Sequence, residues 1–386
     1  MLNILLCVPN LSGGGAERMV LTLAAALDRK GLGTRLFIHE RWGQHMASLA
    51  PGQKVHFQHE RPYRRKDMVM NMVGNFRQAG GCDVVIGAIE GRATITALFA
   101  GLLRRRPVIL WVHCDWSQFS THVSWRQRLA LQFYRFADRV VCCSLGAQEA
   151  FATLVPAATP KLTTIYNGVG IDEVQRLSQE AIEAEHEVIF EKPVTVAVGR
   201  LDVQKGFDIL IRAHAQARAS VDCNLVIIGE GPLHDDLLKC ARDNGVADSV
   251  FLIGFQKNPF RYMRRAHAFA MSSRFEGFAL VLVEAMACGT AVISTSCPSG
   301  PAEVLDHGRF GLLVEPENPA ALATSLVGVL IDPAERRRLS ALALERCRAF
   351  DIGASIDEWV DLLVDVAASR SVHHEVSPAR RSRAPQ

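Results

Sequence analysis

Two carboxylates, Glu276 and Glu284, stand eight residues apart in Ser273-Arg274-Phe275-Glu276-Gly277-Phe278-Ala279-Leu280-Val281-Leu282-Val283-Glu284. The segment reads as a strand end, a Gly turn and a helix start. Such a pair suits one elongated polar ligand. Were the segment largely helical, the two groups would lie about 12 Å apart along the axis, roughly the distance from sugar to ribose across a nucleotide diphosphate. Glu276 would hold one end and Glu284 the other. Spacing alone accounts equally well for a helix-capping Glu276 and a solvated Glu284.

Two cations answer the anionic middle of such a ligand. In Val198-Gly199-Arg200-Leu201-Asp202-Val203-Gln204-Lys205-Gly206-Phe207, Arg200 follows a strand and Lys205 opens a helix. The planar fork of one and the point charge of the other can converge on one diphosphate. A pair of surface cations is the ordinary alternative, but a lysine at a helix N-terminus opposes the dipole, and an anionic ligand would relieve that mismatch. The turn Ser12-Gly13-Gly14-Gly15-Ala16-Glu17-Arg18 offers backbone N–H groups and a helix N-terminus to the same kind of ligand. As a dinucleotide fingerprint it fails, because Arg18 stands where the third glycine belongs. That weakens a nicotinamide dehydrogenase and leaves a tight structural turn as the alternative. Cys297-Pro298-Ser299-Gly300-Pro301-Ala302-Glu303 is a rigid turn whose Ser299 hydroxyl or Gly300 N–H can meet phosphate or sugar, with Glu303 in the first turn of the next helix. His113 ends the apolar run Val108 to Val112, a place where histidine is ordinarily only a polar terminus. No D-x-D triplet occurs, so no carboxylate pair presents itself for a divalent ion on the diphosphate. Helix dipoles, glycine turns, Arg200 and Lys205 are expected to supply that stabilisation without a metal.

These groups need a scaffold that gathers them. A chain of 386 residues suits two domains of similar size. Its 49% hydrophobic and 22% charged residues are those of a folded globular protein, and a net charge of +3 gives no support to a nucleic-acid binder. Strand patterns at Leu2 to Val8, Thr34 to His39, Asp83 to Gly87, Val108 to His113 and Arg139 to Ser144 alternate with helical ones at Ala16 to Lys30, Gly91 to Arg104 and Trp125 to Phe136. The pattern restarts at Val194 and runs to the strand Ala291 to Thr295. Alternation of this kind predicts an α/β protein with two doubly wound parallel sheets. The expected units are 1–168, a polar acidic hinge and linker at 169–192, 193–349, an amphipathic helix at 350–369 and a disordered tail at 370–386 with a solvated His373-His374 pair.

Ten cysteines without a C-x-x-C pair argue against a zinc site or disulfide framework and for reduced thiols in the cytoplasm. The run Met1 to Val8 lacks a basic flank and reads as a first strand, not a signal peptide, and no apolar stretch is long enough to span a bilayer.

Taken together, E-x7-E at Glu276 and Glu284, Gly14-Gly15-Ala16-Glu17-Arg18, G-R-x-x-x-x-K-G at Gly199 to Gly206, His113 and C-P-S-G-P-x-E at Cys297 to Glu303 resemble, in the same order, the motifs of glycosyltransferase family 4. The resemblance covers about residues 2 to 350. It implies a GT-B fold, two Rossmann-like domains facing across a cleft, with the last helix crossing back to the first domain. It implies a retaining transferase that moves a hexose or N-acetylhexosamine from a nucleotide sugar to a hydroxyl of a glycan or glycolipid, with no separate cofactor. By the same resemblance Arg200 and Lys205 neutralise the departing diphosphate, Glu276 holds sugar hydroxyls, Glu284 the ribose, and His113 contacts the donor sugar. Gly13, Gly14, Gly15, Gly277, Phe278, Ala279, Ser299 and Gly300 complete the donor site. The C-P-S-G-P-x-E version looks like that of members using UDP-linked sugars for bacterial surface glycans. Two departures stand out: Ala279 replaces the usual Gly or Pro, and Gly168-Val169-Gly170-Ile171-Asp172 has one residue more than the family's N-G-V-D hinge.

A lipid-linked or lipopolysaccharide acceptor implies a membrane surface. Arg61, Arg64, Arg65 and Lys66 precede Met68, Val69, Met70, Met72, Val73 and Phe76, and Arg104-Arg105-Arg106 forms a second cluster. Basic residues beside apolar ones can dock on anionic lipid, and a solvated face over the core explains the same pattern. A nucleotide-sugar 2-epimerase would share the architecture, and product analysis without acceptor separates the two. A two-lobed solute-binding protein is expected to carry a secretion signal.

Overall fold

Near-continuous apolar runs such as Ile4 to Val8 and Val108 to Val112 are fully buried, as strands covered on both faces require. The computed structural model describes residues 1–12, 14–62, 64, 67–116 and 125–375. Among these, seven strands form the first sheet: β1 (Asn3–Val8), β2 (Gly33–Glu40), β3 (Lys54–His59), β4 (Val84–Gly87), β5 (Val108–Val112), β6 (Arg139–Cys142) and β7 (Leu162–Thr164). They lie in the order β3-β2-β1-β4-β5-β6-β7, all parallel. Six more form the second: β8 (Val194–Val198), β9 (Asn224–Ile228), β10 (Val250–Leu252), β11 (Ala268–Met271), β12 (Val292–Thr295) and β13 (Leu312–Val314), in the order β10-β9-β8-β11-β12-β13, again parallel.

The helices in chain order are α1 (Gly15–Arg29), α2 (Met68–Ala79), α3 (Arg92–Arg104), α4 (Trp125–Leu131), α5 (Leu145–Leu154), α6 (Ile171–Ser178), α7 (Phe207–Ala217), α8 (His234–Asp243), α9 (Phe260–Arg265), α10 (Leu280–Ala287), α11 (Pro301–Val304), α12 (Pro319–Ile331), α13 (Pro333–Cys347) and α14 (Ile352–Glu375). The strand order reverses between β1 and β4 in one sheet and between β8 and β11 in the other. Crevices open at such switch points, outside the carboxyl ends of the strands. The turn after β1 carries Gly14 and Gly15, the turn after β8 carries Arg200, and the loop after β11 carries Glu276. Topology therefore brings the chemistry of both halves to strand ends.

Two segments depart from the sequence expectations. The acidic stretch taken as a linker folds as α6 and a 3-10 segment at Ala184–Glu191, because Ile171, Val174, Ile182 and Ile189 are buried against the core. The last helix runs on to Glu375, so His373 and His374 are helical and not in a disordered tail; no Pro or Gly interrupts the sequence from Ala354 to Ser377. Residues 376–386 lie outside the described residues. The strand end, Gly turn and helix start read across Glu276 to Glu284 are present, with the helix beginning at Leu280.

Helix α14 packs on the first sheet's side. Trp359 is fully buried edge-on to Trp111 of β5 at 4.6 Å, and Arg139 pairs with Asp365 at 3.3 Å. The chain crosses between halves twice, side by side: Val169 N–H donates to Phe350 C=O (2.8 Å) and Ile352 N–H to Val169 C=O (3.0 Å). All ten cysteines are free thiols. Among the described residues no helix is long and apolar enough to cross a membrane.

Candidate active site

Glu276 and Lys205, 71 residues apart in sequence, meet at the carboxyl edge of the second sheet. Lys205 Nζ lies 2.6 Å from Glu276 Oε1, and the Ser273 hydroxyl donates to the same oxygen at 2.6 Å. Glu276 is buried and its lysine partner largely so. Arg200 pairs with Asp202 (Nε to Oδ2, 2.5 Å) and stays open to solvent. Lys205 closes a 3-10 turn, Val203–Lys205, capped by the Asp202 carboxylate, and α7 starts beyond it at Phe207. The two cations thus have internal carboxylate partners, and the dipole mismatch expected for Lys205 is met by Glu276 within the protein.

Gly277 marks a close approach of the halves: a Cβ there would fall 1.8 Å from the carbonyl oxygen of His113. The Gly277 carbonyl accepts from the Ser144 hydroxyl at 2.6 Å, and Phe278 packs buried against Tyr166 and Phe350. Ala279 caps α10 with φ of 68°, the left-handed region that favours glycine. These two backbone constraints keep Glu276 in the loop and out of the helix, so the axial-rise estimate for the two glutamates does not apply.

Glu284, one turn into α10, is buried and ion-paired with Arg18 of α1, a residue from the opposite half. Burial pushes its carboxyl above the usual range, while the Arg18 guanidinium pulls the other way. Gly15 stands against Leu280 at the start of α10. Gly14 caps α1 with no side-chain partner and its carbonyl meets His45 Nε2 at 3.2 Å; Gly13 lies outside the described residues. The N-terminus of α1 therefore faces that of α10.

His113 is held from two sides. Its N–H donates to Glu90 Oε1 (2.6 Å) and its Nε2 to the Ala88 carbonyl (2.9 Å), which leaves Nδ1 as a buried acceptor without a protein partner. Burial lowers its pKa to about 4, so the ring is neutral at pH 7. Ser299, at φ of 60°, donates its hydroxyl to Asp115 Oδ2 (2.8 Å), and Gly300 precedes α11. Glu303 does not merely occupy that helix's first turn: Leu145 N–H and Gly146 N–H donate to its two oxygens at 2.9 and 2.7 Å, and Tyr166 OH adds a third bond at 3.1 Å. Burial and the Glu303 carboxylate push the Tyr166 phenol up to about 12.

The structure thus gathers Glu276, Lys205, Gly277, Ser299 and His113 around the line where the halves meet, with Glu284 and Gly15 on α10's flank and Arg200 at the exposed rim. Sequence reasoning did not assign Arg18, Asp115, Ser144 or Tyr166, and gave Glu303 a local role. Arg18 was legible in part, as the cation one turn behind the glycine turn. The others depend on contacts between distant segments.

The family model for "Glycosyl transferases group 1" matches residues 178–346, and that for "Glycosyltransferase Family 4" matches residues 13–173. The chain is 35% identical over 218 residues to the N-acetylgalactosamine-N,N'-diacetylbacillosaminyl-diphospho-undecaprenol 4-alpha-N-acetylgalactosaminyltransferase of Campylobacter jejuni, a stretch that covers 56% of this chain and 58% of that relative. It is 25% identical over 375 residues, 95% of this chain and 99% of the relative, to the GalNAc-alpha-(1->4)-GalNAc-alpha-(1->3)-diNAcBac-PP-undecaprenol alpha-1,4-N-acetyl-D-galactosaminyltransferase of the same organism. Among solved structures, Alr3699/HepE of Anabaena in complex with UDP-glucose superposes with a TM-score of 0.82 at 22% identity, covering 95% of this chain and 100% of that one. That likeness bears on the fold, and the two parallel Rossmann-like sheets are those of GT-B. Matched in each half by a transferase family model, the chain belongs to glycosyltransferase family 4.

Proposed function

We propose that the protein transfers a hexose or N-acetylhexosamine, with retention, from a UDP-sugar to a hydroxyl of a lipid-linked or lipopolysaccharide glycan. One observation carries this reading: a buried carboxylate–ammonium pair, Glu276 with Lys205, lies on the same loop–helix unit as a second buried carboxylate, Glu284, whose cation comes from the opposite half. Sugar hydroxyls would exchange for Lys205 at Glu276, releasing the ammonium to the diphosphate beside Arg200. The ribose diol would take Glu284. His113 Nδ1 is an acceptor for a sugar hydroxyl, and the N–H groups at the start of α1 face the anion. In the transfer step the C1–O bond to the diphosphate breaks and a C1–O bond to the acceptor forms on the same face. The acceptor proton passes to the departing diphosphate oxygen, and the positive groups stabilise its charge without a metal. The names of the Campylobacter relatives support a polyprenyl-diphosphate-linked acceptor, and the UDP-glucose complex of the Anabaena protein supports the donor nucleotide.

A cytoplasmic enzyme at a membrane face follows from such an acceptor. Met68, Val69, Met70 and Val73 of α2 are exposed, and Arg64 stands beside them. Arg61 is tied bidentately to Asp67 and so is not a free charge, and Arg104 lies over the Phe76 ring; Arg65 and Lys66 fall outside the described residues. Flotation with anionic liposomes tests the contact, and absence of binding removes it. For the reaction, the purified chain is incubated with UDP-hexoses and UDP-N-acetylhexosamines and an undecaprenyl-diphosphate-linked glycan, and the anomer of the product is read by NMR. Failure of every UDP-sugar both to raise the melting temperature and to be consumed refutes the reading.

A further inference from the structure

Glu303 turns its carboxylate away from its own short helix and into the other half of the molecule. Its two oxygens receive the first N–H groups of α5, Leu145 and Gly146, donors that no residue of that helix can satisfy. A negative group there also meets the positive end of the helix. Ser144, the cap of α5, binds the Gly277 carbonyl, and Ser299, four residues before Glu303, binds Asp115. The loops bearing Glu276 and Ser299 are therefore pinned to the segments that follow His113 and β6.

Gly146 identifies what this arrangement selects. A Cβ at that position would lie 2.8 Å from Ser299 Oγ and 3.1 Å from Glu303 Oε1. Within α5 itself nothing requires a glycine, since its backbone there is not in the left-handed region. The space Gly146 leaves open serves the opposite half alone.

We propose that Glu303 and Gly146 form a closure latch, a positioning pair that sets the Glu276 and Ser299 loops in register with His113 and so aligns donor and acceptor for transfer. The inference rests on the transferase reading above. It implies that breaking the latch slows the chemical step and leaves nucleotide binding, made largely by the second half, in place.

The test uses the full-length chain with Gly146→Ala and Glu303→Gln. Three quantities are read: the Kd for UDP by calorimetry, kcat with a UDP-sugar that the wild type consumes, and amide exchange at Leu145, Gly146 and Ala147. The expected result is a kcat lower by about tenfold to a hundredfold, the scale of a misplacement near 1 Å, with the UDP Kd held. Exchange at Leu145 and Gly146 should accelerate in both variants, with the UDP Kd unchanged whatever the melting temperature does. A merely structural role would move UDP affinity and kcat together, which overturns the latch, as does wild-type kcat in both variants. Should the wild type neither bind UDP nor consume any UDP-sugar, the transferase reading fails, and unchanged exchange at Leu145 and Gly146 then decides against the latch separately.

Discussion

Lys205→Ala and Arg200→Ala should separate two consequences that one charge deletion usually mixes. Lys205 Nζ sits 2.6 Å from Glu276, with side-chain exposures of 19% and 7%. Removing one partner of a buried pair costs about 3–5 kcal/mol, and the Ser273 hydroxyl, still bonded to Glu276, puts the loss near the lower end, about 3 kcal/mol. At about 2–4 °C per kcal/mol for a domain of this size, the melting temperature falls by roughly 6–12 °C. Arg200 is 67% exposed, and its pair with Asp202 is therefore worth at most about 1 kcal/mol. Both cations are assigned to the leaving diphosphate, so both variants should lose about 10²-fold in turnover, the scale of one lost transition-state donor. Scanning fluorimetry without nucleotide, set beside turnover at saturating UDP-sugar, reads the two effects independently. Equal melting temperatures for the two variants would refute the buried-pair argument; wild-type turnover in both would refute their assigned role.

The remaining predictions follow from the buried acids and bases. His39, His113 and His214 each have their pKa lowered by burial to about 4. Their folded values lie below the unfolded one, so stability is full above about pH 6.5 and falls as pH drops toward 4, by up to about 1.4 kcal/mol per pH unit per imidazole; chemical denaturation across that window checks it, and His214→Gln should flatten the slope. Arg18→Ala leaves buried Glu284 without its cation and raises its pKa further. The variant should be less stable than wild type at pH 7, the gap should close as pH falls through the raised folded pKa values, above the usual carboxyl range, and Glu284→Gln on the same background should restore stability. Turnover should persist in EDTA, because Arg200, Lys205 and the start of α1 supply the charge; loss of activity restored by a divalent ion contradicts that assignment.

Much of the scaffold was legible because its signals are local. Apolar runs identified β1, β4, β5, β8 and β12 to within a residue or two, and with β1 and β8 the places where Gly14 and Arg200 emerge. Short strands without a strong apolar run, β3, β7 and β13, were not read at all. The strand end, Gly turn and helix start were legible across Glu276 to Glu284, but the close packing on the turn was not: the His113 carbonyl, arriving from the other half, occupies the space above Gly277. A signal for Ala279 did exist, since the family's preference for Gly there points to the positive φ that the structure shows. The pairing of Lys205 with Glu276 and of Arg18 with Glu284 spans 71 and 266 residues. No spacing rule reaches that far, so Lys205 looked like a free anion receptor when it already had a partner, and Arg18 received no role. The acidic run before residue 192 misled through composition, its four buried apolar positions being sparse among glutamates.

The packing of Trp359 against Trp111 bears on biosynthesis. The indole of β5 is translated early, yet its cover, Trp359, lies 248 residues downstream of Trp111, an interval of about 12–50 s at ribosomal elongation rates. Throughout that interval the nascent first half presents an uncovered aromatic face, and a chaperone that shields such surfaces has its natural target there. The same dependence means that a gene truncated before α14 should give inclusion bodies, and that co-expressing α14 as a separate peptide is the fragment experiment with a chance of returning soluble protein.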